Sequence, residues 1–122
     1  MVRDIDHIQI AMPKGREDDA RRFYGDLLGL EEIEKPERMK GRGGVWYRLG
    51  SRQLHLGVEE DFRPAKKAHP AFLIDDYAAL KAKLKAEGYP QKEDDPLEGY
   101  ERCFSNDPFG NRLEFLRKLT TP

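Results

Sequence analysis

A single cysteine, Cys103, leaves this chain unable to form an intrachain disulfide, so its stability has to come from a packed core and a reducing compartment suits it. An excess of charge is missing as well. Twenty-two Lys and Arg against 23 Asp and Glu give a formal net charge of −1, with no long block of one sign. The concentrated basic face that nucleic acid or an anionic membrane surface requires is therefore not expected. The nearest approach to one, RPAKK at 63–67, reads as a solvated linker. No apolar run approaches the roughly 20 residues needed to span a bilayer. The opening MVRDID lacks the apolar region of a signal peptide, so a cytoplasmic protein is expected.

Histidine is scarce too, with three in 122 residues, and their placement is informative. Each lies on or beside a short apolar run that reads as a strand: His7 in DHIQIAM, His55 in RQLHLGV and His69 in HPAFLID. Near the end, NRLEFLR sets Glu114 between Leu113 and Phe115. Side chains alternate across a strand. His7 and Gln9 then oppose Ile8 and Ile10, Gln53 and His55 oppose Leu54 and Leu56, His69 and Ala71 oppose Phe72 and Ile74, and Arg112 and Glu114 oppose Leu113 and Phe115. Four strands would thus present an imidazole or a carboxylate on the face not given to aliphatic packing. Imidazole nitrogen and carboxylate oxygen are ligands for zinc, nickel, cobalt, manganese and iron, so convergence of His7, His55, His69 and Glu114 would build a site for a divalent metal.

The length suits one compact domain. A strand over 5–12 ends at Met12-Pro13. A helix is expected over 16–29, because Ala20, Phe23, Tyr24, Leu27 and Leu28 recur at helical spacing, acidic residues crowd the first turn and Gly29 ends it. Extended segments follow at 30–35, 44–50 and 53–60. The pattern then restarts with the strand HPAFLID and a helix capped by Asp75-Asp76, carrying Tyr77, Leu80 and Leu84 on one side and closed by Gly88. A short segment around YPQKE, the loop DDPLEG, the strand YERCFSN, a DPFG turn and the strand NRLEFLRK complete it. Both halves read strand, helix, strand, strand, strand: an internal duplication of a βαβββ module, one at 5–60 and the other at 68–118. His7 and His69 are matching first-strand residues of the two modules, and His55 and Glu114 matching last-strand residues. Trp46 and Arg48 alternate against Val45, Tyr47 and Leu49, so one of these sets lines a cavity and the other packs on a helix. Cys103, sharing parity with Glu101 and Ser105, reads as a buried structural residue.

DHIQIAMP followed by ARRFYGDLLGLEE, then QLHLGVEE, AHPAFLIDD and SNDPFGNRLEFLR, resembles the vicinal oxygen chelate superfamily, which includes glyoxalase I, fosfomycin-inactivating thiol transferases, extradiol dioxygenases and bleomycin-resistance proteins. The resemblance covers essentially the whole chain. It implies an α+β fold in which two βαβββ modules form a cup-shaped mixed sheet with the helices outside, a divalent metal in the cup, and ligands from the first and last strands. On matched positions His7, His69 and Glu114 are ligands, and His55 falls where isomerase and epimerase members often carry Glu or Gln, a departure that argues against glyoxalase I proper. The implied function is that of a metal-dependent lyase, isomerase or thiol transferase acting on a small oxygen-rich substrate, with Glu114 as the catalytic base and Gln9, Trp46, Arg48, Gln53 and Arg112 as substrate contacts. The alternatives are a non-haem iron dioxygenase and a metal-free drug-binding protein. The resemblance also implies a homodimer, in which one chain's His7 and His55 could join the other's His69 and Glu114.

Overall fold

The computed structural model describes residues 1–93 and 95–119, and within them two compact units, Met1–Pro64 and the chain from Ala65 onward. The expected loop DDPLEG includes Asp94, which lies outside the described residues. None of the helices described is long and apolar enough to cross a membrane.

In the first unit β1 (His7–Met12), β2 (Glu31–Ile33), β3 (Val45–Leu49) and β4 (Arg52–Val58) form a mixed sheet in the order β1-β4-β3-β2, with β1 parallel to β4 and the other pairs antiparallel. Ile10 and Met12 of β1, Leu54 and Leu56 of β4 and Val45 and Tyr47 of β3 are buried, as are Ala20, Phe23 and Tyr24 of the intervening helix. That helix differs from the expected one. It is a single α-turn, α1 (Glu17–Ala20), continuing as a π-helical segment (Arg21–Leu27), in which Leu28 N–H donates to the Phe23 carbonyl five residues back. Apolar residues three and four apart satisfy either closure, so spacing alone does not separate them. Gly29, at φ +79°, ends the segment as expected. The strand expected over 30–35 is reduced to the three residues of β2. A 3₁₀ turn (Glu37–Arg42) follows it, for which Pro36 at its start was the available sign.

The second unit is built from β5 (Ala71–Leu73), α2 (Tyr77–Ala86), β6 (Tyr100–Asn106) and β7 (Arg112–Lys118), with strand order β5-β7-β6, β5 parallel and β6 antiparallel to β7. The short segment expected around YPQKE becomes one bridge, Lys92 against Phe104, with N–H···O distances of 2.9 and 2.7 Å. Counting that bridge as a remnant strand, the order is first, last, third, second in both units. Asp76 caps α2 by accepting from the Ala79 N–H at 3.0 Å, and Tyr77, Leu80 and Leu84 are its buried side. Cys103 is buried. Burial, followed by a hydrogen bond with Cys103, raises the pKa of the Tyr77 hydroxyl.

Candidate functional site

Residues paired across a ladder point to the same face. In the first unit His7 pairs with Gln53, Gln9 and Trp46 both pair with His55, and Arg48 pairs with both Gln53 and Glu31. One face therefore carries His7, Gln9, Gln53, His55, Trp46 and Arg48 together. Val45 and Tyr47, each 1% exposed, pack on the other face, which decides between the two sets of β3.

The centre of this face is a stack. The His55 ring lies 3.6 Å from Trp46 at an interplanar angle of 3° and 4.4 Å from His7 at 22°. His55 Nε2 donates to Gln53 Oε1 at 2.8 Å, since an amide oxygen can only accept. Burial lowers the His55 pKa, and the neighbouring His7 lowers it further. His55 is thus held as a neutral imidazole with its Nε2 proton engaged. The more exposed His7 donates Nδ1–H to Asp6 Oδ2 at 3.0 Å, leaving Nε2 as the nitrogen available to a ligand. Gln9 lies against Gly57, where a β-carbon would strike its side-chain amide. Arg48 reaches Glu31 at 3.4 Å.

The second unit gathers different chemistry. His69 precedes β5 instead of lying in it, the strand starting at Ala71 after Pro70. Its Nδ1 donates to the Lys67 carbonyl at 2.8 Å, and its Nε2 faces Glu114 Oε1 at 2.9 Å. Nδ1 is thus turned to a carbonyl, and Nε2 and the carboxylate oxygen face each other as a close polar pair. Glu114 is 7% exposed, and its Oε2 accepts from Arg102 Nη1 at 3.4 Å. Arg102 also donates through Nε and Nη2 to the Asp95 carbonyl, tying the loop before β6 to the carboxylate. Phe104, opposite Glu114 in the ladder, meets the His69 ring edge-on at 5.4 Å, and the Arg112 guanidinium lies 4.1 Å above the Phe104 ring.

The structure therefore brings together His7 with His55 and, separately, His69 with Glu114. Among the described residues no three His, Cys, Asp or Glu side chains cluster in a way that would hold a metal ion. Arg102, Phe104 and Asp6 were not among the expected site residues. Arg102 and Phe104 share strand parity in YERCFSN, opposite Cys103, and that parity was the signal available for them.

Residues 4–115 match the Glyoxalase/Bleomycin resistance protein/Dioxygenase superfamily. The chain is 32% identical to the uncharacterised protein YycE of Bacillus subtilis (strain 168), over 89% of this chain and 86% of that one. The crystal structure of a glyoxalase family protein from Bacillus anthracis superposes with a TM-score of 0.91 at 44% identity, covering 98% of both chains. The fosfomycin resistance protein FosX of Listeria monocytogenes matches in fold, with a TM-score of 0.74 at 15% identity over 100% of this chain and 96% of that one.

Proposed function

The chain belongs to the Glyoxalase/Bleomycin resistance protein/Dioxygenase superfamily, and from that premise we propose that it is a metal-dependent enzyme of the glyoxalase type: a lyase, isomerase or thiol transferase acting on a small oxygen-rich substrate. The observation that carries this reading is the His69–Glu114 pair. Two donors each about 2.1 Å from one cation at a right angle lie about 3 Å apart, and His69 Nε2 and Glu114 Oε1 lie 2.9 Å apart with the other imidazole nitrogen fixed by a carbonyl. The donor chemistry fits zinc, nickel, cobalt, manganese or iron. We assign His7, His69 and Glu114 as ligands, with His55 joining them if Gln53 releases its Nε2. A bound divalent ion would act as a Lewis acid, stabilising negative charge on a substrate oxygen.

The residues around it have separate tasks. Glu114, if it leaves the ion during turnover, would be the carboxylate that takes a proton from carbon beside a carbonyl, and Arg102 bonds its second oxygen. Trp46, Arg48, Gln9 and Gln53 provide an aromatic and hydrogen-bonding wall, and Arg112 a cation next to Glu114. The same reading includes a cytoplasmic homodimer.

A metal-free binding protein is the second reading, favoured by the fact that both Glu114 oxygens and His55 Nε2 already have partners within the chain. Metal analysis of protein purified without a histidine tag and loaded with each ion separates the two. Stoichiometric metal that is lost in the double variant His7→Ala, Glu114→Ala supports the enzyme; no retained metal under any loading condition supports the binder. Sedimentation showing monomer alone at micromolar concentration would remove the dimer.

A further inference from the structure

We propose that the second unit carries a binding site for the phosphoryl group of a small molecule, set beside the His69–Glu114 pair. The site is a cavity of about 560 Å³ whose lining includes Lys66, Lys92, Glu93, Phe104, Asn106 and Arg112, a size suited to a small ligand. Its three cationic side chains come from three separate segments: the stretch leading into β5, the Lys92 bridge, and the start of β7. Against them the described lining sets one carboxylate, Glu93, which itself lies 3.6 Å from the Lys81 ammonium outside the cavity. The Lys66 and Lys92 ammonium groups have no carboxylate partner among the described residues, so the pocket holds unneutralised positive charge. Asp107, in the turn after β6, is buried outside the cavity's described lining and accepts from Phe109 N–H, Asn111 N–H and the Asn111 side-chain amide. Two lysines and an arginine that line one cavity from separate segments suit a dianion with several oxygens better than a single carboxylate.

Position turns this charge into a statement about substrate. Phe104 and Arg112 lie on the Glu114 face, Phe104 opposite Glu114 and Arg112 two residues before it, about 7 Å along the strand. Phe104 is thus a wall shared by the cavity and the His69 ring. A molecule anchored by a phosphoryl group among Lys66, Lys92 and Arg112 would extend across Phe104 and present its next few atoms to His69 Nε2 and Glu114 Oε1. This deepens the enzymatic reading above, on which the substrate role rests; binding of the anion itself does not depend on it.

The test is calorimetric titration of inorganic phosphate into protein dialysed against chelator, so that no metal can supply the interaction. Saturable binding in the millimolar range is expected. It should weaken at least about tenfold in the Lys66→Ala, Lys92→Ala double variant and stay within about threefold in Lys92→Arg, which keeps the charge. Acetate should bind at least about tenfold more weakly than phosphate, since one negative charge meets fewer of the donors. Circular dichroism checks that the double variant is folded; if it is not, the Lys92→Ala single variant must show the loss. Phosphate binding that is absent, that survives both lysine changes, or that acetate equals overturns the proposal. Phosphate binding in a protein that takes up no metal would leave this site standing and remove the enzymatic reading; metal uptake without phosphate binding would do the reverse.

Discussion

The two units share one strand order and use it for opposite electrostatic ends. In the first, the equivalent positions on the first and last strands carry His7 and His55, stacked with Trp46, and the buried member has its pKa lowered by desolvation and by the neighbouring His7 while its Nε2 bonds a glutamine. In the second, the corresponding His69 and Glu114 form a polar pair, with an arginine on the carboxylate's second oxygen. A duplicated topology thus fixes where side chains stand, while the neighbours on the same face decide whether that place is an aromatic stack or a charged centre.

The strongest way to break the comparison is at the donor groups. Glu114→Ala should reduce divalent-metal affinity by more than the 10–100-fold typical of losing an outer partner, whereas His55→Gln should stay within about tenfold, because its Nε2 is already engaged. Equal losses in equilibrium dialysis would show that the units contribute alike. Next come the glycines. Gly44, at φ +87°, has its missing β-carbon aimed at the Leu56 carbonyl, while Gly88, at φ +81°, has open space around it. Gly44→Ala should therefore cost more than about 3 kcal/mol, and Gly88→Ala about 1 kcal/mol from backbone strain alone, read by urea denaturation.

A pH series sharpens the contrast further. The folded-state pKa of His55 lies below its unfolded value near 6.5, so at acid pH the unfolded chain binds the proton that the folded chain refuses. The stabilisation is fully present above that unfolded value and is lost as pH falls through the folded pKa. The stability gap between wild type and His55→Gln should therefore narrow on acidification; a gap that widens would contradict the sign. The smallest effect concerns two buried hydroxyls with no hydrogen-bond partner among the described residues, Tyr47 Oη in the first unit and Ser105 Oγ in the second. Tyr47→Phe and Ser105→Ala should each change stability by less than about 1 kcal/mol, neutral or favourable, because neither removes a hydrogen bond that exists.

Much of this was legible in the sequence because strand alternation is a strict period. It placed His7 with Gln9, His55 with Gln53, and Glu114 with Arg112 on shared faces, and β6 and β7 fall where YERCFSN and NRLEFLRK put them. Helical spacing was less discriminating: Phe23, Tyr24 and Leu27 fit a π-helical segment as well as an α-helix. His69 shows how a local break defeats a periodic reading, since Pro70 delays the strand and the histidine is aimed by a carbonyl of the preceding turn. Whether Trp46 or Tyr47 faced His55 depended on registry between β3 and β4, a non-local pairing that neither strand encodes alone.

The glycine pair before β3 has one more implication. Glu17, at the start of α1, accepts the Gly44 N–H at 2.9 Å, and Lys35 donates to the Gly43 carbonyl at 2.6 Å. The height at which the indole two residues later meets the imidazole is therefore governed by a carboxylate at the start of a helix. A substitution at Glu17 would be felt as a slip of Trp46 across His55, and the single tryptophan's emission would register it.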